Sequence, residues 1–185
     1  MLLLSIYICI LFVHKVEDQT ADMMELINIE QDLTKLCGEH NLILQQTNLV
    51  HVNGEPGRGL AQQLHDRWPH CHPYDRNGVQ PDMGSIQIIL SRDNSPTICC
   101  LNAQRNVGRK QIKDDYSERL VAFDAALEKV KAALRQDGEL MNVENIYIPY
   151  KIGCGYGHGD WQEYHAKIVR FSQNVSQPCY LCHLL

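Results

Sequence analysis

The chain has no excess of basic charge: 17 Lys and Arg stand against 22 Asp and Glu, a formal net charge of −5. That balance excludes a broad nucleic-acid surface, although a small cationic cleft for one phosphorylated ligand is compatible with it. Aromatic residues are few, 7% of the chain, which weakens an RNA-binding reading further. Its cysteines, at positions 9, 37, 71, 99, 100, 154, 179 and 182, are scattered, without the density of a small disulfide-stapled scaffold. Reduced thiols in an intracellular protein are expected. The one long apolar run, "MLLLSIYICILFV", is too short to cross a bilayer comfortably. No Lys or Arg precedes it and no small-residue cleavage site clearly follows it, so it does not read as an export signal. Residues 1–22 are therefore read as an N-terminal extension outside the fold, and no membrane association is expected. Also missing are the G-x-G-x-x-G dinucleotide fingerprint and a P-loop with Gly-Lys-Ser/Thr. Nicotinamide oxidoreductases and P-loop nucleotide hydrolases are thereby excluded.

Residues 23–185 carry organised pattern and read as one domain. "MELINIEQ" and "LILQQT" predict strands around a short helical "TKLCGEH", and "GLAQQLHDRW" predicts a helix ending at Pro69. "SIQIIL" and "TICCLNA" predict neighbouring strands across the turn-rich "SRDNSP". Between Asp114 and Gln136 the residues Tyr116, Leu120, Phe123, Leu127, Val130 and Leu134 form one helical stripe. "NIYIPY" predicts a buried strand, "WQEYHAKIVRFS" a helix and "PCYLCHL" a last strand. Such alternation predicts a three-layer α/β/α domain with a central mixed sheet.

Glycine is concentrated where function is expected. "YKIGCGYGHGDW" places glycines at 153, 155, 157 and 159 between a strand and a helix. A strand feeding a helix through such a loop aims backbone N–H groups and a helix dipole at one point, which suits phosphate. A Cβ there would block both the approach and the positive φ expected at Gly155. Asp160 suits the N-cap of the helix that follows. A second loop, in "NLVHVNGEPGRGLAQQL", again follows a strand and opens a helix, with glycines at 54, 57 and 59. Two such loops at one sheet edge grip a diphosphate from both sides.

These residues resemble the macro domains, which bind ADP-ribose and its derivatives, over nearly the whole chain after Met24. "INIEQDLTKL" looks like the family's opening strand with its Asp-hydrophobic pair, "LILQQTN" like its second strand and asparagine, and "IYIPYKIGCGYGHGDW" like the strand and loop ending in Trp. The resemblance implies that Asp32, with Leu33 beside it, accepts from the adenine amino group, and that Asn48 faces the distal ribose. Arg58, Gly59 and Leu60 would form the first loop over the diphosphate. Gly153, Gly155, Tyr156, Gly157, His158 and Gly159 would form the second. Two plainer roles stay open: Asp32 as a helix cap and Asn48 as a turn residue.

The similarity is to the subset that processes ADP-ribose 1''-phosphate or removes terminal ADP-ribose, so the implied function is hydrolysis of an ADP-ribose derivative, with a non-catalytic reader as the alternative. The partner would be ADP-ribose or an ADP-ribosylated macromolecule, and neither a cofactor nor a metal is implied. The chain departs from the family's chemistry. Where the terminal glycohydrolases look to carry a lysine after the fourth strand, this sequence has Gln104 and Arg105, and Gly157 stands where they carry an aspartate. The phosphatase branch's histidine is replaced by Gln45. An arginine stays protonated and cannot form the imine of a nucleophilic lysine. Asn48, His158 and Asp160 are the remaining catalytic candidates, with His51 nearby. Cys179-x-x-Cys182-His183 matches a haem-attachment sequence, but the export route it needs is poorly supported. His65, His70, Cys71 and His72 are too crowded for one tetrahedral ion.

Overall fold

The structure is a computed structural model that describes residues 25–50, 57–75, 79–106 and 115–183. The apolar extension 1–22 and His51 lie outside the described residues. In chain order the elements are β1 (Ile27–Glu30), β2 (Asn41–Asn48), α1 (Leu60–Arg67), β3 (Ser85–Ile89), β4 (Thr97–Gln104), α2 (Tyr116–Ala133), β5 (Asn145–Pro149), α3 (Trp161–Ser172) and β6 (Cys179–His183). The short helix expected in "TKLCGEH" is only a 3-10 turn at Leu33–Lys35. Leu36 leaves it in an extended conformation and Gly38, at φ 106°, turns the chain into β2. Helix α1 stops one residue before Trp68, whose extended φ of −133° is what a following proline imposes.

The sheet order is β1-β6-β5-β2-β4-β3. All neighbours are parallel except the edge pair β3–β4, whose connection turns at Asp93 and Asn94, both at positive φ. Strand periodicity sends side chains alternately into two cores. Leu42, Leu44, Cys99 and Leu101 pack on one face with Phe123, Leu127 and Val130 of α2 and Ile168 and Phe171 of α3. Ile43, Ile98 and Cys100 pack on the other with Leu33, Leu36, Leu64 and Trp68. Three layers result, and strands β2 and β4, apolar on both faces, are buried between helices as parallel strands require.

Helix α2 follows its predicted stripe from Phe123 onward. At its N-terminal end the stripe fails, because Tyr116 is exposed and Arg119 takes the inward place.

Candidate functional site

Five parallel strands end at one edge, and their connections diverge there. The chain leaves β2 toward β4 on one side and leaves β5 toward β6 on the other. The neighbours β2 and β5 therefore flank a topological switch point, the place outside the strand ends where open α/β sheets bind ligands. Their register pairs run only from Asn41–Asn145 to Ile43–Tyr147, although β2 continues to Asn48. The strands part toward the edge, and the segments after each form the crevice rims.

The first rim is the start of α1. Its N-cap is Gly59 (φ 65°, ψ −136°), with no side-chain cap, whereas Asp115 caps α2 and Asp160 caps α3. Among the described residues, no side chain caps the first turn of α1, and such a turn suits an anion. Arg58 beside them is exposed. Asn48 is buried and held at both ends: its Oδ1 accepts from Val50 N at 3.0 Å and its Nδ2 donates to Tyr74 Oη at 2.8 Å. Tyr74 in turn packs under Gly57, where a Cβ would stand 3.1 Å from the ring.

The second rim is the segment 150–160. It is folded by its own backbone: Cys154 N donates to Lys151 O (2.9 Å), His158 N to Gly155 O (3.2 Å) and Gly159 N to Gly153 O (3.1 Å). Among the described residues, no acceptor meets the N–H groups of Gly155, Tyr156 or Gly157. Gly155 and Tyr156 are exposed and Gly157 is buried, and consecutive amides without an internal acceptor suit an anion. The glycines serve different ends. The positive φ expected at Gly155 is found instead at Gly153 (73°), and at Lys151 (57°) and His158 (54°). A Cβ on Gly153 would stand 2.5 Å from Gln46 Oε1 and 2.6 Å from Tyr164 Cε1. One on Gly157 would stand 2.4 Å from Gly153 O, and one on Gly159 2.7 Å from Tyr164. A Cβ on Gly155 meets nothing within 4 Å, so Gly155 borders open space.

The helix dipole contributes differently from expectation. Asp160 accepts from Gln162 N (2.8 Å) and Glu163 N (3.4 Å), so the N-terminus of α3 is already satisfied by a carboxylate. The open helix N-terminus belongs to α1, and the second rim offers loop amides. Tyr156, 65% exposed, bridges the mouth, its ring 3.8 Å from where a Cβ on Gly59 would stand.

No known family's sequence profile matches this chain, and no curated protein resembles it in sequence. Solved structures do resemble it. The macrodomain of Mycobacterium tuberculosis DarG superposes with a TM-score of 0.62 at 18% identity, over 85% of this chain and 95% of that one. A macrodomain protein from Streptomyces coelicolor gives 0.57 at 17% identity, over 86% of this chain and 99% of that one. DarTG of Thermosipho africanus, solved in complex with ADP-ribose, gives 0.61 at 15% identity, over 85% of this chain and 41% of that one. The fold is that of a macrodomain.

Within this macrodomain fold Asp32 lies at the same edge, on the β1 side. Gln31 N donates to His183 O at 3.1 Å, and Tyr150 N donates to Cys182 O at 2.8 Å, so the ends of β1, β6 and β5 are laced side by side. Asp32 caps the 3-10 turn, accepting from Thr34 N (3.0 Å) and Thr34 Oγ1 (2.6 Å), and pairs with Lys35 at 3.3 Å. The Thr34 hydroxyl is the main cause that holds its carboxyl below the usual range. Leu33 is fully buried, so its side chain belongs to the core and only its backbone is left for a ligand. Sequence reasoning missed the rings here: Tyr150 stacks on His183 at 4.2 Å and meets Trp161 edge-on at 4.9 Å. Their signal was an aromatic residue directly after one strand and another at the end of its neighbour.

Two of the three departures from the family's chemistry meet in space. A Cβ on Gly157, which stands where the resemblance expects the aspartate, would lie 3.2 Å from Oε1 of Gln104, one of the two residues that stand where it expects the lysine. Burial pushes the Cys154 thiol up to about 11, which disfavours its nucleophilic thiolate form. Haem attachment fails on geometry: Cys179 points into one core and Cys182 into the other. Two recesses of about 360 and 310 Å³, one lined by Met83, Arg105 and the outer face of α2 and one at the C-terminal end of α2, include no residue of either rim.

Proposed function

We propose that the crevice between β2 and β5 binds ADP-ribose, with the diphosphate between the first turn of α1 and the amides of Gly155, Tyr156 and Gly157. One observation carries the reading: an uncapped helix N-terminus and an open-amide loop face one switch point from opposite sides. Both halves offer backbone N–H donors, as a diphosphate needs. The ADP-ribose bound in the Thermosipho structure supports the ligand class. Asp32 would accept from the adenine amino group beside Tyr150, and Asn48, its carboxamide fixed by Tyr74 and Val50, would meet the distal ribose.

Recognition of ADP-ribose groups on a macromolecule is the activity this geometry favours. Gln104 and Arg105 stand where the resemblance expects the lysine and Gly157 where it expects the aspartate, and Asp160 spends its carboxylate on two helix amides. Hydrolysis of an ADP-ribose derivative, including dephosphorylation of ADP-ribose 1''-phosphate, is the second reading, and His158 favours it. Its imidazole is exposed in the loop itself, where it would stand beside a bound ligand as a general acid–base group.

The deciding experiment measures ADP-ribose affinity by calorimetry and then incubates the protein with ADP-ribosylated protein, ADP-ribosylated nucleic acid and ADP-ribose 1''-phosphate. Tight binding with no released ADP-ribose or phosphate establishes the reader. Turnover that falls by about 10²–10⁴ in His158→Ala, with affinity unchanged, establishes the hydrolase. No ADP-ribose binding at all removes both.

A further inference from the structure

Arg119 occupies a place on α2 where the periodic stripe calls for an apolar residue. It is 1% exposed, and a buried guanidinium keeps its charge and must be hydrogen-bonded, which makes it costly where an aliphatic chain would pack freely. Its fork reaches out of the helix to the second rim: Nη1 donates to the carbonyl of Gly157 at 2.5 Å. Its guanidinium carbon also lies 5.4 Å from the centre of the Tyr116 ring. The helix therefore holds the glycine loop by a charge-assisted bond, the stronger class of hydrogen bond.

That bond lands where the loop backbone packs closely on itself. A Cβ on Gly157 would overlap Gly153 O at 2.4 Å, so no side chain separates this backbone from the rest of the loop. Fixing the Gly157 carbonyl fixes the plane of the peptide that carries the His158 N–H, which closes on Gly155 O. The next amide, of Gly159, closes on Gly153 O. With these two amides turned into the loop, the three preceding ones are left without internal acceptors.

We infer that Arg119 is a positioning residue for anion binding: acting through the Gly157 carbonyl, it holds the loop in the form that leaves the Gly155, Tyr156 and Gly157 amides available to a diphosphate. The naming of ADP-ribose as the natural ligand rests on the function proposed above; the role of Arg119 in holding a diphosphate does not.

The test compares wild type, Arg119→Ala and Arg119→Lys by calorimetry with three probes: ADP-ribose, adenosine and inorganic pyrophosphate. Arg119→Ala should weaken ADP-ribose and pyrophosphate by about 10- to 100-fold, the worth of a hydrogen bond to a charged group, and leave adenosine unchanged. Arg119→Lys keeps the charge with a single donor and should recover part of that loss. Equal weakening of adenosine and ADP-ribose, or undiminished pyrophosphate binding, would overturn the assignment. Should Arg119→Ala fail to fold, Arg119→Lys decides by the same split between adenosine and the phosphate ligands. A wild type that takes pyrophosphate but not ADP-ribose removes the ADP-ribose reading and leaves Arg119 to be judged on pyrophosphate; one that takes neither overturns both.

Discussion

Two glycines two residues apart in the same loop should respond to substitution in opposite ways. Gly153 combines a φ of 73° with close neighbours in Gln46 and Tyr164. Gly153→Ala should therefore destabilise the fold by about 2–4 kcal/mol, from left-handed strain together with overpacking. Gly155 has neither constraint, so Gly155→Val should unfold in urea at nearly the wild-type midpoint while losing ADP-ribose, because its side chain enters the space left for the ligand. A Gly155→Val protein that binds normally would remove the loop from the site. Sequence showed that the loop needs glycines but not which glycine does what, since backbone torsion and ligand space are both set by neighbours from other strands. Base recognition is tested at the same scale. Asp32→Ala should weaken ADP-ribose by about 1.5–3 kcal/mol while sparing ribose 5-phosphate. Equal loss for both ligands would leave Asp32 with its observed duty as the cap of the 3-10 turn.

Elements were legible where one periodicity decides. The stripe of α2 from Phe123 to Val130, the acid cap at Asp160 and the proline stop after α1 all follow from local rules. Arg119 was not legible, because a charged residue in a helix reads as solvent face until the tertiary partner of its fork is known. The packing of α3 on α2 adds a charged contact of the same hidden kind: Asp124 of α2 receives both Lys167, at 3.2 Å, and Arg170 of α3. Burial pushes the Asp124 carboxyl up, but the hydrogen bonds from Arg170 and Lys167 outweigh it and leave the group below the usual carboxylate range. A depressed folded-state pKa contributes stability above the unfolded value, near 3.9, and loses it as pH falls through the folded value. Asp124→Asn should therefore cost about 0.5–1 kcal/mol at pH 7, a modest figure because both partners reach solvent. In urea titrations the gap between variant and wild type should close below about pH 4. A gap that persists unchanged to pH 3 would show that the carboxylate's charge is not what joins the helices.

For the whole molecule, strand–helix alternation was enough to expect a three-layer sheet and a ligand edge, but not the strand order that puts β2 beside β5. That adjacency joins segments about a hundred residues apart and makes one crevice of two glycine loops. Laced ends of β1, β6 and β5 likewise bring Asp32, His183 and Tyr150 together, a grouping that depends on register and has no local signature. A ligand lying across the switch point must therefore protect both rims at once. With ADP-ribose at a hundred times its Kd, the folded state should gain about 2.7 kcal/mol by mass action. For a chain of this size that is a rise in Tm of roughly 5–10 °C. Amide hydrogen exchange locates the gain. The first-turn amides of α1 and those of Gly155, Tyr156 and Gly157 should slow together, because the diphosphate supplies the acceptors they lack, while β3 at the far edge should exchange unchanged beyond the general stabilisation. Adenosine, which has no diphosphate, should protect the neighbourhood of Asp32 and Tyr150 and leave both rims exchanging freely. If ADP-ribose slows only one rim, the two loops do not form a single site, and the diphosphate must be placed on that rim alone.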